Sequence, residues 1–233
     1  MPRPALHTFS TAAELAELLA VHVITLLQRA LAEKKQAGLV VSGGSTPKPF
    51  FQCLSHKDID WSRVNITLTD ERWVDTEDKS SNERLVRENL LQNRAVNALF
   101  NGLKNNAPTA AQGEQQCHSA IAGLPRPFDV VILGMGNDGH TASFFPGAER
   151  LAKALDINTK SNCVAITSTD APHERMTLTL PILLDTGQII LHITGKDKRA
   201  VLEKALYDGP IEEMPIRSFL RQNKTPVQIY WAP

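Results

Sequence analysis

The sequence predicts an α/β protein, with a mainly parallel sheet carrying helices on both faces in three layers, built as a single domain over residues 1–233. Three observations carry this. Short apolar, often β-branched runs at residues 39–41, 64–68, 129–133, 163–166 and 188–193 are separated by segments whose apolar residues recur every three or four positions. Strands alternating with helices require right-handed crossovers, which make neighbouring strands parallel. Several runs also end in loops rich in glycine or charge, and in such sheets ligands bind beyond the carboxyl ends of the strands.

The first element is a helix. Thr11 and Glu14 form a capping-box pair, and Leu15, Leu18, Leu19, Val23, Leu26, Leu27 and Leu31 follow at helical spacing. His22 lies on that apolar face and is expected to pack there. The run at 39–41 ends in Ser42-Gly43-Gly44-Ser45-Thr46-Pro47, with Pro47 suited to the first helical position. A strand, a loop of small residues and a helix N-terminus make an anion site, because unpaired N–H groups and the helix dipole converge there. The lysine of a nucleotide-binding P-loop is missing. Taken alone, this loop is as compatible with an ordinary turn as with an anion site.

The run at 64–68 leads into Thr69-Asp70-Glu71-Arg72-Trp73-Val74, two carboxylates and an arginine where a solvated loop needs none; the plain alternative is a surface ion pair of little worth. Ser80 with Glu83 reads as a second capping box, opening a helix that runs to residue 91. Residues 93–108 read as loop and 110–124 as a helix, with His118 at the surface or in packing.

The run at 129–133 then enters Gly134-Met135-Gly136-Asn137-Asp138-Gly139-His140. A turn this rich in glycine lets a ligand approach the backbone closely, and His140 follows it, with the side chain most easily poised as a general base near neutral pH. The glycine spacing matches G-x-G-x-x-G, but the match is accidental. Pro146 and Gly147 interrupt the helix that a dinucleotide fold needs, and the next run, ending at Ile166, is followed by Thr167 and Ser168 rather than an acid.

Beyond it, a loop at 167–175 includes Thr169, Asp170 and Arg175; residues 176–180 alternate as a strand and 181–184 read as helical. The run at 188–193 ends in Thr194-Gly195-Lys196 and precedes a helix with Val201, Leu202, Ala205 and Leu206 facing inward. A short helix at 215–220 and a strand at 227–231 close the chain. The parallel topology places the loops at 43–46, 70–72, 134–140, 172–175 and 195–196 on one rim.

Composition narrows the partners. Lysine plus arginine balance aspartate plus glutamate at 25 each, so no global field favours nucleic acid or an anionic membrane. Cys53, Cys117 and Cys163 are odd in number and far apart, which speaks against a disulfide framework and for a reducing compartment. The seven histidines contain no H-x-x-x-H or H-x-H, so no metal site is expected. Glu14 and Glu17 precede an uncharged stretch at 18–28 too short to span a bilayer, and a cytoplasmic protein is expected.

Four motifs in chain order resemble those of 6-phosphogluconolactonases, a branch of the superfamily shared with glucosamine-6-phosphate deaminases. They are Ser42-Gly43-Gly44-Ser45-Thr46-Pro47, Asp70-Glu71-Arg72-Trp73-Val74, the stretch from Gly134 through Asp138-Gly139-His140-Thr141-Ala142-Ser143-Phe144-Phe145-Pro146-Gly147, and Arg175-Met176-Thr177-Leu178-Thr179-Leu180. The resemblance implies the sugar-phosphate deaminase/isomerase fold, similar to that of CoA transferases. It also implies cofactor-free hydrolysis of 6-phosphoglucono-δ-lactone to 6-phosphogluconate, by a monomer or small homo-oligomer. His140 is then the base that deprotonates water, and Asp138 holds the imidazole tautomer, orients the water or merely shapes the loop. The phosphate is expected on Gly43, Gly44, Ser45, Thr46, Arg72, Arg175 and Lys196, with Asp70 in the same binding region. The lactone oxyanion falls to a backbone N–H of the glycine loop or to Arg72.

Two alternatives are weighed against this. The deaminase branch looks like Asp-Gly-His-x-Ala-Phe-Asn-Glu-Pro, and Phe145 stands where that pattern has its glutamate. A non-catalytic sugar-phosphate sensor is the other, disfavoured because His140 is retained and no room is left for an effector module.

Overall fold

A computed structural model describes residues 4–168 and 171–233; the loop expected at 167–175 therefore has Thr169 and Asp170 outside the described residues. The elements run β1 (Ala5–Thr8), α1 (Ala12–Glu33), β2 (Ala37–Val41), α2 (Lys48–Ser55), β3 (Val64–Leu68), β4 (Asp70–Arg72), α3 (Asn82–Asn89), β5 (Leu99–Asn101), α4 (Ala110–Ala122) and β6 (Phe128–Leu133). They continue with α5 (Leu151–Leu155), β7 (Cys163–Ile166), β8 (Arg175–Leu178), α6 (Leu180–Leu184), β9 (Thr186–Thr194), α7 (Lys196–Leu206), α8 (Arg217–Leu220) and β10 (Val227–Ala232).

Seven strands form one sheet in the order β1-β10-β9-β6-β2-β3-β5, and every pairing in it is parallel. Each position of β2 and β3 is buried, which requires cover on both faces of the sheet and gives the three-layer α/β architecture. From β2 the chain moves to β3 and β5 on one side, then returns to β6, β9 and β10 on the other. The order therefore reverses between β2 and β6, and the crevice outside the carboxyl ends of those strands is where such a sheet opens a ligand site. A second sheet, β4-β8-β7, is antiparallel.

Helix α1 starts as its sequence dictates, with Thr11 Oγ1 accepting from the Glu14 N–H at 3.1 Å and Glu14 Oε2 accepting from the Ser10 N–H at 2.8 Å. By length and composition it could cross a membrane, but it lays Leu15, Leu19, Val23 and Leu27 fully buried into the core. Each such side chain contributes about 1.5–3 kcal/mol of hydrophobic stabilisation. His22 packs as expected, stacked on Tyr230 with centroids 5.9 Å apart.

Several local expectations shift. The residues 70–72, expected as loop, form β4, and the presumed loop at 93–108 contains β5. β1 joins the sheet beside β10 although no strand was expected there. Helix α3 is capped by Ser81, whose Oγ accepts from the Arg84 N–H at 3.1 Å, rather than by Ser80. The cause is the neighbouring carboxylate of Glu71, fully buried, which accepts from Asn82 N–H at 2.8 Å, Glu83 N–H at 2.7 Å and Ser81 Oγ at 3.1 Å. Glu83 then turns to Arg87, 2.8 Å away, instead of reaching back to a cap. Helix α2 begins at Lys48, with Pro47 as its N-cap one residue earlier than its expected role.

Candidate active site

A cavity of about 430 Å³ opens over the carboxyl ends of β2, β6 and β9. The glycine loop after β6 builds one wall. Thr141 Oγ1 donates to Gly134 O at 2.8 Å, and the Gly136 N–H donates to His140 O at 2.8 Å, which folds the loop back on itself. Inside that fold the Asp138 carboxylate takes two hydrogen bonds from His140, from its backbone N–H at 3.0 Å and its ring Nδ1 at 2.6 Å. The imidazole lies where a side chain on residue 136 would stand, because a Cβ there would be 2.1 Å from His140 Nδ1 and 2.5 Å from Asp138 Oδ1. Glycine at 136 is thus a requirement of the His140–Asp138 pair.

The pairing has a chemical consequence. A carboxylate accepting from Nδ1 fixes the proton on that nitrogen and leaves Nε2 with a free lone pair. Burial would raise the Asp138 pKa, but the His140 ring and backbone N–H outweigh it and hold the carboxyl below its usual range. Phe145 packs against the ring, centroids 4.5 Å apart, and its own ring centroid lies 5.7 Å from the Arg175 guanidinium carbon. Phe144 is fully buried against Phe219. Neither phenylalanine supplies acid–base chemistry.

The second wall comes from β4 and β8. Their antiparallel register sets Arg72 directly opposite Arg175, two like charges side by side, an arrangement that is destabilising unless an anion joins them. The Nε atoms of both arginines are buried and have no hydrogen-bond partner among the described residues. Arg72 is held from behind by Ser80 O, which accepts from its Nη1, and Glu71 accepts from its backbone N–H at 2.6 Å. Burial lowers the Arg175 pKa, with the Asp70 charge opposing and the Arg72 charge reinforcing that shift. Asp70 is itself tied down, accepting from Ser143 Oγ at 2.6 Å and Thr69 Oγ1 at 3.0 Å, so it links this wall to the loop that carries His140.

The third side is the loop after β2. The N–H groups of Gly43, Gly44, Ser45 and Thr46 donate to no backbone carbonyl among the described residues, and all four residues line the cavity at the start of α2. Gly43 lies hard against Asn82, whose Oδ1 would be 1.8 Å from a Cβ at that position.

Of the residues singled out in the sequence, Gly43, Gly44, Ser45, Thr46, Asp70, Arg72, His140 and Arg175 all line this one cavity, with Asp138 directly behind His140. Lys196 does not. It is the exposed first residue of α7, and Lys198, two residues further in, lines the cavity in its place. Burial lowers the Lys198 pKa while the nearby Asp138 and Asp197 charges oppose the shift. The difference is helical geometry: residues two apart face different directions. Asn82 and His192 also line the cavity and had no chemical role in the sequence reading. Strand alternation could have marked His192 as inward-facing, whereas Asn82 is delivered by the long-range bond of its N–H to Glu71. Among the described residues, no group of three or more potential metal ligands is found.

Comparison with known proteins places the chain in a family. The family model described as Glucosamine-6-phosphate isomerases/6-phosphogluconolactonase matches residues 10–231. A curated 6-phosphogluconolactonase of Rhizobium meliloti is 47% identical over 228 residues, covering 98% of each chain. One of Mesorhizobium japonicum is 44% identical, covering 97% of this chain and 94% of the relative. The crystal structure of a 6-phosphogluconolactonase from Shewanella baltica superposes with a TM-score of 0.97 at 50% identity, covering 99% of this chain and 98% of the other. The chain belongs to the glucosamine-6-phosphate isomerase/6-phosphogluconolactonase family.

Proposed function

We propose that this protein hydrolyses 6-phosphoglucono-δ-lactone to 6-phosphogluconate, as a single cytoplasmic lactonase domain in the oxidative pentose phosphate route. The observation that carries the proposal is the juxtaposition, in one cavity, of a histidine whose Nε2 is left free by Asp138 and two arginines set directly opposite one another. The names of the relatives agree with it. The dianionic phosphate sits against Arg72 and Arg175, with the N–H groups of residues 43–46 and the Lys198 ammonium completing the clamp. Held there, the lactone carbonyl lies near His140, so that binding far from the reacting atoms becomes rate.

His140 Nε2 takes a proton from water as its oxygen bonds to the lactone carbonyl carbon. The resulting oxyanion collapses, the ring C–O bond breaks, and the imidazolium returns the proton to the departing ring oxygen. The products are a carboxylic acid, which ionises, and a free hydroxyl. Asp138 stabilises the transient imidazolium and keeps the ring in the tautomer that accepts at Nε2. No redox change or group carrier enters the balance. The deaminase reading lacks a group to shuttle carbon-bound protons, because Phe145 packs on His140 where that branch has a glutamate.

The test is the wild-type rate on freshly prepared 6-phosphoglucono-δ-lactone, on the unphosphorylated glucono-δ-lactone and on glucosamine 6-phosphate. The proposal requires strong preference for the first. Comparable turnover of the two lactones would refute the phosphate clamp, and comparable deamination of the amino sugar would refute the lactonase assignment.

A further inference from the structure

Ser42, Asn82 and His192 line the cavity but have no part in the catalytic scheme. His192, near the carboxyl end of β9, lines the cavity and is only 4% exposed. Its Nδ1 is buried with no hydrogen-bond partner among the described residues, and Phe50 meets the ring edge-on with centroids 6.0 Å apart. A buried polar atom left unpaired costs about 1–3 kcal/mol, and with Nδ1 sealed off, Nε2, which has no hydrogen-bond partner among the described residues either, is the nitrogen left to face the cavity.

Charge does not explain its place there. Burial pulls the His192 pKa down to about 4, so at neutral pH the ring is uncharged, carrying one N–H donor and one lone pair. It neither attracts phosphate nor duplicates His140. No protein group among the described residues fixes which of its nitrogens holds the proton, and the ring is free to give or to accept a hydrogen bond. Its surroundings have the same character. Asn82 Oδ1 is likewise buried and unpaired among the described residues, and Ser42 lines the same cavity at the end of β2. In the sheet, β9 pairs with β6 so that Leu191 lies opposite Leu133, which sets His192 level with Gly134. A Cβ on residue 134 would lie 3.6 Å from Ser42 Oγ, so residue 134 stands beside Ser42 as well as level with His192. The same cavity thus carries an uncharged hydrogen-bonding patch beside a cationic clamp, matched to a ligand that is anionic at one end and hydroxylated along its ring.

We propose that His192 is a substrate-binding residue that exchanges hydrogen bonds with a ring hydroxyl of the phosphorylated lactone, while Arg72 and Arg175 hold its phosphate. This deepens the lactonase reading and rests on it. A site built to bond a hydroxyl discriminates against ligands that lack it, because its own polar groups are then left unpaired.

The test uses the full chain as wild type, His192→Phe and His192→Gln. Calorimetry measures the binding of 6-phosphogluconate and, separately, of inorganic phosphate. Expected for His192→Phe is about 10-fold weaker binding of 6-phosphogluconate, with phosphate affinity unchanged and a similar loss in kcat/KM expressed mainly in KM. Removing an unpaired nitrogen also leaves the melting temperature of His192→Phe unchanged or higher. His192→Gln, which keeps a donor and an acceptor, falls between wild type and His192→Phe, and it carries the test alone if the phenylalanine variant does not fold. Wild-type binding by His192→Phe, equal weakening of both ligands, or a glutamine variant worse than the phenylalanine one would overturn the proposal and mark His192 as packing. A wild-type protein inactive on the lactone would instead overturn the activity itself, before any variant is made.

Discussion

Replacing Gly136 by alanine separates the position of His140 from everything else in the site. A Cβ at residue 136 would meet His140 Nδ1 at 2.1 Å and Cε1 at 2.2 Å, whereas ordinary contact begins near 3.4 Å. The imidazole must therefore move by on the order of 1 Å, and a displacement of that size at a reacting group costs about 100-fold in rate. The neighbours that must yield are the ends of the His140 and Asp138 side chains, not backbone, and Gly136 does not adopt a positive φ. Folding is therefore spared: the alanine lowers the entropy of the unfolded chain and adds about 0.4–1 kcal/mol of stability if anything. The assay is kcat in a coupled reaction that consumes 6-phosphogluconate as it forms, corrected for spontaneous lactone opening, with thermal melting and phosphate binding alongside. Expected is a kcat near one hundredth of wild type, an equal or higher melting temperature and unchanged phosphate affinity. A variant with wild-type kcat would refute the claim that this close approach positions the base.

Other consequences can be measured directly. Glu71→Ala strips a buried acceptor from the Arg72, Asn82 and Glu83 N–H groups and should cost roughly 3 kcal/mol or more in urea unfolding, whereas a loss under about 1 kcal/mol would mean that water replaces the carboxylate. Arg72→Ala should raise KM for the phosphorylated lactone by about 10-fold or more while leaving the unphosphorylated lactone unaffected. Arg175→Gln relieves the cross-strand repulsion, so it should weaken phosphate binding without lowering the melting temperature of the free protein; a clear drop would give Arg175 a structural role. Because the folded-state pKa of Asp138 is depressed, its stabilising contribution is present above the unfolded value of about 4 and is lost as pH falls through the lower folded value. Melting curves of wild type and Asp138→Asn should therefore differ at pH 7 and converge in acid, and a gap independent of pH would contradict this origin.

What could be read from the sequence followed from how local each interaction is. The strand ending at Leu133, the glycines after it and His140 all lie within one short segment, so periodicity and turn chemistry exposed them together. Elements made by distant partners stayed hidden. β4 is three polar residues that become a strand only by pairing with Arg175–Leu178, and β1 is an exposed edge that exists through β10. The cap of α3 moved to Ser81 because Glu71, ten residues earlier in the chain, competes for its first turn. The same limit explains Lys196 and Lys198: a glycine followed by lysines marked the rim, but only the direction of α7 decides which ammonium faces the cavity. Asn82 and His192 look unremarkable in the chain, and their unpaired atoms become visible only once the cavity is closed around them.

The most direct test of the account is the steady-state rate of His140→Ala on fresh 6-phosphoglucono-δ-lactone, with calorimetric binding of 6-phosphogluconate to the same preparation. The account predicts a fall in kcat of about 10²- to 10⁴-fold with binding retained, because the phosphate clamp does not involve His140. A His140→Ala enzyme that binds 6-phosphogluconate normally and turns over the lactone at the wild-type rate would contradict it.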